Sequence, residues 1–179
     1  LPAKNPKELD EAERDAARGR LIALDVGARR VGVAVSDEMR LSVRPLPAIR
    51  RESWKKLVAA VAQLVSEFDA AGLVLGLPLR LDGSEGDAAL EARRLAKNFG
   101  LTLKCPVHLQ DERLTTRAAD EALRDEHVSD EARAGRIDSE AAAIILRDFI
   151  ASEAAREIDI TKSDDDDSLT ATGEDSFHS

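Results

Sequence analysis

Apolar residues run unbroken from Leu21 to Leu24 in GRLIALDVG, the pattern of a central strand buried on both faces. A short Gly-containing turn follows, and RRVGVAVSD reads as the hairpin partner of that strand. SVRPLPAIRR is a third strand, broken by Pro45 and Pro47, which points to a sheet edge. The spacing then changes. Trp54, Leu57, Val58, Val61, Leu64, Val65 and Phe68 recur at helical intervals behind Ser53, a suitable N-cap. GLVLGLP is a short buried strand ended by Pro78, residues 86–99 form an amphipathic helix, and PVHLQDE is the last strand. A helix from Thr115 or Thr116 to about Glu126 precedes a final helix over DSEAAAIILRDFIASEA, opened by Asp138.

Three strands in meander, then helix, strand, helix, strand and helices, give an α/β arrangement with a mixed sheet. A right-handed crossover from the third strand places the fourth beside the first. The first strand is then central, and ligand sites gather at its C-terminal end, where Asp25 lies. Residues 1–19 read as a polar extension, 20–155 as one domain, and 156–179 as a disordered acidic tail.

Composition narrows the chemistry. With 43% apolar but only 3% aromatic residues, the core must be aliphatic. No apolar run reaches the roughly 18 residues of a membrane span. The first twenty residues hold no apolar stretch that could act as a secretion signal. Together with a single cysteine, Cys105, this leads us to expect a cytoplasmic protein without an internal disulfide. Three scattered histidines and one cysteine do not make a zinc site of the usual spacing, so any metal should be a hard cation on carboxylate oxygens. The net charge of −9 is concentrated at the ends, since residues 20–150 hold 20 Lys/Arg against 21 Asp/Glu. A basic face on the domain is therefore permitted, and the acidic total does not exclude nucleic acid.

Several residues are candidates for chemistry. Asp25 ends the most buried strand, where an ionised carboxylate is costly unless paired or metal-bound, although an Asp before a Gly turn is also common. Asp138 shares a helical face with Ala142, Ile145 and Phe149, and an N-cap role would explain it equally well. Asp111 and Glu112 are consecutive on a strand end, so only one of them can join Asp25 and Asp138, and an ordinary polar strand end with Arg113 pairing to one carboxylate would explain them too. Gly27 with the charges of Arg29 and Arg30, and the loop holding Gly83, Ser84 and Gly86, suit close approach of a phosphate, but a hairpin turn explains the first set as well.

In this order and spacing, LIALDVGARRVGVAVSD, VLGLPLRLDGSEG, VHLQDERLTT and IDSEAAAIILRDFI resemble the YqgF/RuvX family over about residues 20–152. That resemblance implies a ribonuclease H-like fold, a mixed five-stranded sheet of order 3-2-1-4-5 flanked by helices. It also implies a nuclease for maturation of the 5′ end of pre-16S ribosomal RNA, or a Holliday junction resolvase. The family's acidic positions fall on Asp25, Glu112 and Asp138, with Asp111 as a further candidate ligand. The implied mechanism is hydrolysis assisted by two Mg²⁺ or Mn²⁺ ions, with Asp25 bridging them. Arg29, Arg113, Thr115, Gly27 and the Gly83–Gly86 loop are the candidate substrate contacts. Junction resolvases of the RuvC type carry another acid shortly after the last-helix Asp; here Ala141 and Ala142 stand in that region, with Glu140 the only nearby acid. The expected partners are pre-rRNA or branched DNA and ribosomal precursor particles, with no membrane, and the state is a monomer or homodimer. Two other readings share features: an ATP-handling enzyme of the actin and sugar-kinase type, which would need a second phosphate loop, and a non-catalytic ribosome-assembly module, which would not need metal.

Overall fold

In the computed structural model, which describes residues 19–113 and 130–166, the sheet is built around β1 (Leu21–Val26). Its side chains alternate between two cores. Ile22 and Leu24 enter one apolar cluster, and Leu21 and Ala23 enter another on the opposite face. Burial on both faces is why this segment reads as a continuous apolar run.

The hairpin partner β2 (Arg30–Ser36) pairs antiparallel with β1, and β3 (Val43–Arg50) pairs antiparallel with β2 at the sheet edge. Pro45 and Pro47 do not break β3, contrary to the sequence reading. An edge strand has amides that face no neighbour, so proline costs it no ladder bond there. The register between β2 and β3 does shift between Val31 and Val33. β4 (Gly72–Leu77) lies parallel to β1 on its other side, followed by β5 (Val107–Asp111), also parallel. The order β3-β2-β1-β4-β5 is the one expected.

Helices α1 (Trp54–Glu67) and α2 (Asp87–Leu103) cover one face of the sheet. Ser53 caps α1 as expected, its side chain accepting from the Lys56 amide. Leu57 and Val61 of α1 pack with Leu95, Ala96 and Phe99 of α2 against the even-numbered residues of β1. α2 runs past residue 99 and stops at Lys104, which adopts a left-handed conformation with φ 52°. The other face is covered by α3 (Asp130–Asp166), through Ala142, Ala143, Ile145, Leu146 and Phe149.

One expectation is corrected by α3. Asp138 does not open the helix but lies two turns inside it, because the preceding DEARAGRI is rich in good helix formers and continues the helix upstream. The helix continues to Asp166. Extending a helix already anchored by packing requires no new nucleus. The expected helix from Thr115 or Thr116 to Glu126, and Thr115 itself, lie outside the described residues. No described helix is long and apolar enough to cross a membrane.

Candidate metal and nucleic-acid site

Alternation along β1 puts Asp25 on the same face as Leu21 and Ala23, beneath α3. Its register partner on β2 is Gly32. A Cβ at Gly32 would stand 1.9 Å from the Asp138 carbonyl oxygen, so the missing side chain is what lets α3 settle onto β2 at this point. The helix is fixed there by the buried Ser139, whose hydroxyl accepts from the Val33 amide at 3.3 Å. That amide lies where the β2–β3 register shifts. Asp138 is thereby delivered beside Asp25.

The third acid arrives from the other direction. Glu112 directly follows β5, and its amide donates to the Leu77 carbonyl at 3.2 Å, which holds it against the end of β4. Its carboxylate lies across Gly76 of β4, where a Cβ would stand 1.8 Å from Glu112 Oε1 and 2.9 Å from Ile145 Cδ1. Two glycines within strands therefore make the room: Gly32 for the helix that carries Asp138, and Gly76 for the side chain of Glu112.

Electrostatics show that the three acids share one neighbourhood. Burial pushes Asp25 up to about 6, with a further contribution from the negative charge of Asp138. Burial also pushes Glu112 up to about 7, helped by the charges of Asp25 and Asp111. Both carboxyls pay for being charged among other acids in a poorly solvated place. Asp138 has a cationic partner, Arg30, whose Nε donates to its Oδ2 at 2.9 Å.

Asp111 takes a different course. It pairs with Leu77, whose side chain packs on Ala89 and Ala92 of α2. Alternation thus turns Asp111 toward the α2 face, where Arg113 donates to both of its carboxylate oxygens at 2.7–3.1 Å. This pair holds Asp111 below its ordinary range. The sequence argument that only one of Asp111 and Glu112 could face Asp25 selects Glu112.

A hard divalent cation suits this donor set: carboxylate oxygens whose charged forms are penalised by burial and by each other, a penalty a cation removes. Among the described residues, no group of three acidic, histidine or cysteine side chains is already arranged to hold a metal ion. The Arg30 contact occupies Oδ2 of Asp138.

The remaining candidates lie around the same end of the sheet. Gly27 and Arg29 form the exposed β1–β2 turn, and their carbonyls accept from Arg51, Gly27 from Nη1 and Arg29 from the main-chain amide. Gly83 has φ 85° and sits under the Arg113 guanidinium, 3.0 Å from the position its Cβ would take. Ser84 donates twice to Asp82 Oδ1, and Gly86 is the N-cap residue of α2. These residues make a tight loop. Sequence reasoning missed the packing role of Gly32, the clearance at Gly76 and the Arg30–Asp138 pair. A glycine in the interior of a buried strand was the available signal for the first two.

The sequence matches the family model described as RuvX, Holliday junction resolvase, over residues 19–152. It is 38% identical over 131 residues to a protein of Anaeromyxobacter sp. (strain Fw109-5) named "Putative pre-16S rRNA nuclease", covering 73% of this chain and 96% of that one. A protein of the same name from Rhodopseudomonas palustris (strain BisB5) is 40% identical over 147 residues, covering 82% of this chain and 92% of that one. Among solved structures, the chain is similar to T. thermophilus RuvC in complex with Holliday junction substrate, with TM-score 0.45 and 13% identity, covering 75% of this chain and 96% of that one.

Proposed function

This chain belongs to the RuvX family, and from that premise we propose that it is a nuclease that hydrolyses phosphodiester bonds with Asp25, Glu112 and Asp138 as its working acids. The observation that carries the reading is the clustering of Asp25 and Glu112, two half-buried carboxyls driven up by burial and by neighbouring acids (Asp138 on Asp25, Asp25 and Asp111 on Glu112) at the C-terminal end of the central strands. A protein that only binds has no use for such a penalty. An enzyme that binds cations does, because the same repulsion becomes affinity for Mg²⁺ or Mn²⁺.

In this reading Asp25, Glu112 and Asp138 hold the ions, and Asp25 is central to them. When bound, divalent ions lower the pKa of the attacking water and stabilise the leaving oxygen. The chain's own residues set the stage. Gly76 and Gly32 admit Glu112 and the Asp138 segment, Ser139 anchors the helix, and Arg30 neutralises Asp138 until it is needed. Arg29 and the Gly83–Gly86 loop border the site as candidate phosphate contacts. Arg113 is a weaker one, since its Nε and Nη2 are already committed to Asp111.

The substrate we favour is a ribosomal RNA precursor, because the relatives matched over nearly their whole length carry that name. Branched DNA is the alternative raised by the family description. A comparison of a pre-16S leader RNA with a four-way DNA junction, each labelled and incubated with Mg²⁺ or Mn²⁺, decides between them. Site-specific cutting of the RNA alone supports the reading. Symmetric cutting of the junction alone replaces the substrate, and cutting of neither removes the nuclease claim.

A further inference from the structure

Beyond the three acids, on the β3 side, a groove of about 600 Å³ runs between β3 and the N-terminal part of α3. Three arginines line it, Arg30, Arg50 and Arg136, against one acid, Glu140. Pro45 and Pro47 contribute an apolar wall, and Gly135 of the helix faces Ala48 of the strand, so neither side carries bulk where they approach.

The placement of the arginines is unusual for a surface that serves only packing. Arg30 and Arg50 are directly opposed register partners on β2 and β3. Like charges set opposite each other across a ladder destabilise the pair. Asp138 offsets Arg30, and Arg136 then adds a third cation from the helix above. A groove lined by three guanidinium groups and one carboxylate suits an anionic backbone.

The sheet order relates the groove to the acids. Across neighbouring strands the sequence is Glu112 over β4, Asp25 on β1, Asp138 above β2, Arg30 on β2 and Arg50 on β3. Adjacent strands are about 4.8 Å apart, so Arg50 lies roughly 10 Å across the sheet from Asp25. One nucleic-acid strand can touch both.

We propose that this groove binds the phosphodiester backbone of the substrate strand to one side of the scissile bond, with Arg50 and Arg136 contacting phosphates and Arg30 joining them once it releases Asp138. The identity of the ligand rests on the nuclease reading. Arg30 then has two anionic partners at different stages: Asp138 in the free protein and a phosphate in the complex.

The test is fluorescence anisotropy with a short labelled single-stranded RNA, in EDTA, over a series of salt concentrations. It compares the wild type with Arg50→Ala/Arg136→Ala, Arg50→Lys/Arg136→Lys, Asp25→Asn and the off-groove Lys97→Ala. Each phosphate contact contributes about 0.7 to the slope of log affinity against log salt for single strands. The double alanine variant should lose about 1.4 of slope, with affinity down about tenfold at low salt. The double lysine variant should keep most of the slope, and Lys97→Ala should match the wild type. If the double alanine variant fails to fold by circular dichroism, Arg136→Ala alone, at an exposed helix position, should lose about 0.7.

Unchanged slope and affinity in the alanine variants overturn the groove, as does an equal loss in Lys97→Ala or a wild type that does not bind. Cleavage measured in parallel with Mg²⁺ separates this from the nuclease reading. Groove-dependent binding with no cutting by any protein retains the groove and removes the nuclease. Cutting that depends on Asp25, with groove variants that bind as the wild type does, does the reverse.

Discussion

Replacing Asp25 by Asn should make the metal-free protein more stable, and by an amount that depends on pH. Asp25 ionises near pH 6 in the folded chain and near its ordinary 3.8 when unfolded. Between those values the folded state binds more protons than the unfolded one, so stability falls as pH rises. The loss is complete above the folded value. A tenfold change in proton affinity corresponds to about 1.4 kcal/mol, so at pH 8 the charged Asp25 costs about 3 kcal/mol relative to a neutral side chain. At pH 4 Asp25 is almost wholly protonated in the folded state and partly protonated in the unfolded one, so the cost shrinks to about 0.6 kcal/mol by the same relation. Asn carries the shape without the charge. Urea unfolding in EDTA at pH 8 and pH 4 should therefore show Asp25→Asn more stable by about 3 kcal/mol at the higher pH and by well under 1 kcal/mol at the lower. A variant no more stable than wild type at pH 8, or a gain equal at both values, would refute the claim that this carboxyl is held charged against burial and its neighbours.

The same electrostatics predict that Mg²⁺ raises the melting temperature strongly at pH 8 and little at pH 5, where protons already occupy Asp25 and Glu112. At a hundred times its dissociation constant the ion adds about 2.7 kcal/mol, readable by differential scanning fluorimetry, and an equal effect at both pH values counts against the site. Gly76→Ala places a methyl where Glu112 Oε1 lies, so it should displace that carboxylate and lower kcat by about 100-fold while the fold persists at a cost of about 1–3 kcal/mol. Activity close to wild type would show that Glu112 does not work from that position. Ser139→Ala removes the acceptor of the buried Val33 amide and should cost about 1–3 kcal/mol in urea unfolding, and a change under about 0.5 kcal/mol would mean that another group takes its place.

Much of the framework was legible because it is local. The unbroken run Leu21–Leu24 marks a strand buried on both faces, and the helical spacing from Trp54 to Phe68 marks α1 with its Ser53 cap. Strand alternation separated Glu112 from its neighbour Asp111 and correctly required one of them to face elsewhere. What escaped the sequence is long-range. Arg30 and Asp138 are 108 positions apart, and nothing near either one announces the pair. The glycines at 32 and 76 are shaped by what crosses them, an α3 carbonyl in one case and the Glu112 side chain in the other. Asp138 resembled a helix N-cap because Asp-Ser before an alanine run is a good capping signal, and only tertiary packing reveals that the helix begins earlier.

The central claim is that Asp25, Glu112 and Asp138 together hold the ions used for phosphodiester hydrolysis. Its most direct measurement is cleavage of a labelled pre-16S leader RNA in Mg²⁺ by the wild type and by Asp25→Asn, Glu112→Gln and Asp138→Asn, each checked for folding. We predict cutting by the wild type and a loss of at least about 100-fold in each variant, with the cations no longer stabilising the variants against heat. Equal cutting by wild type and Asp25→Asn would contradict the account, because the acid at its centre would have no part in the reaction.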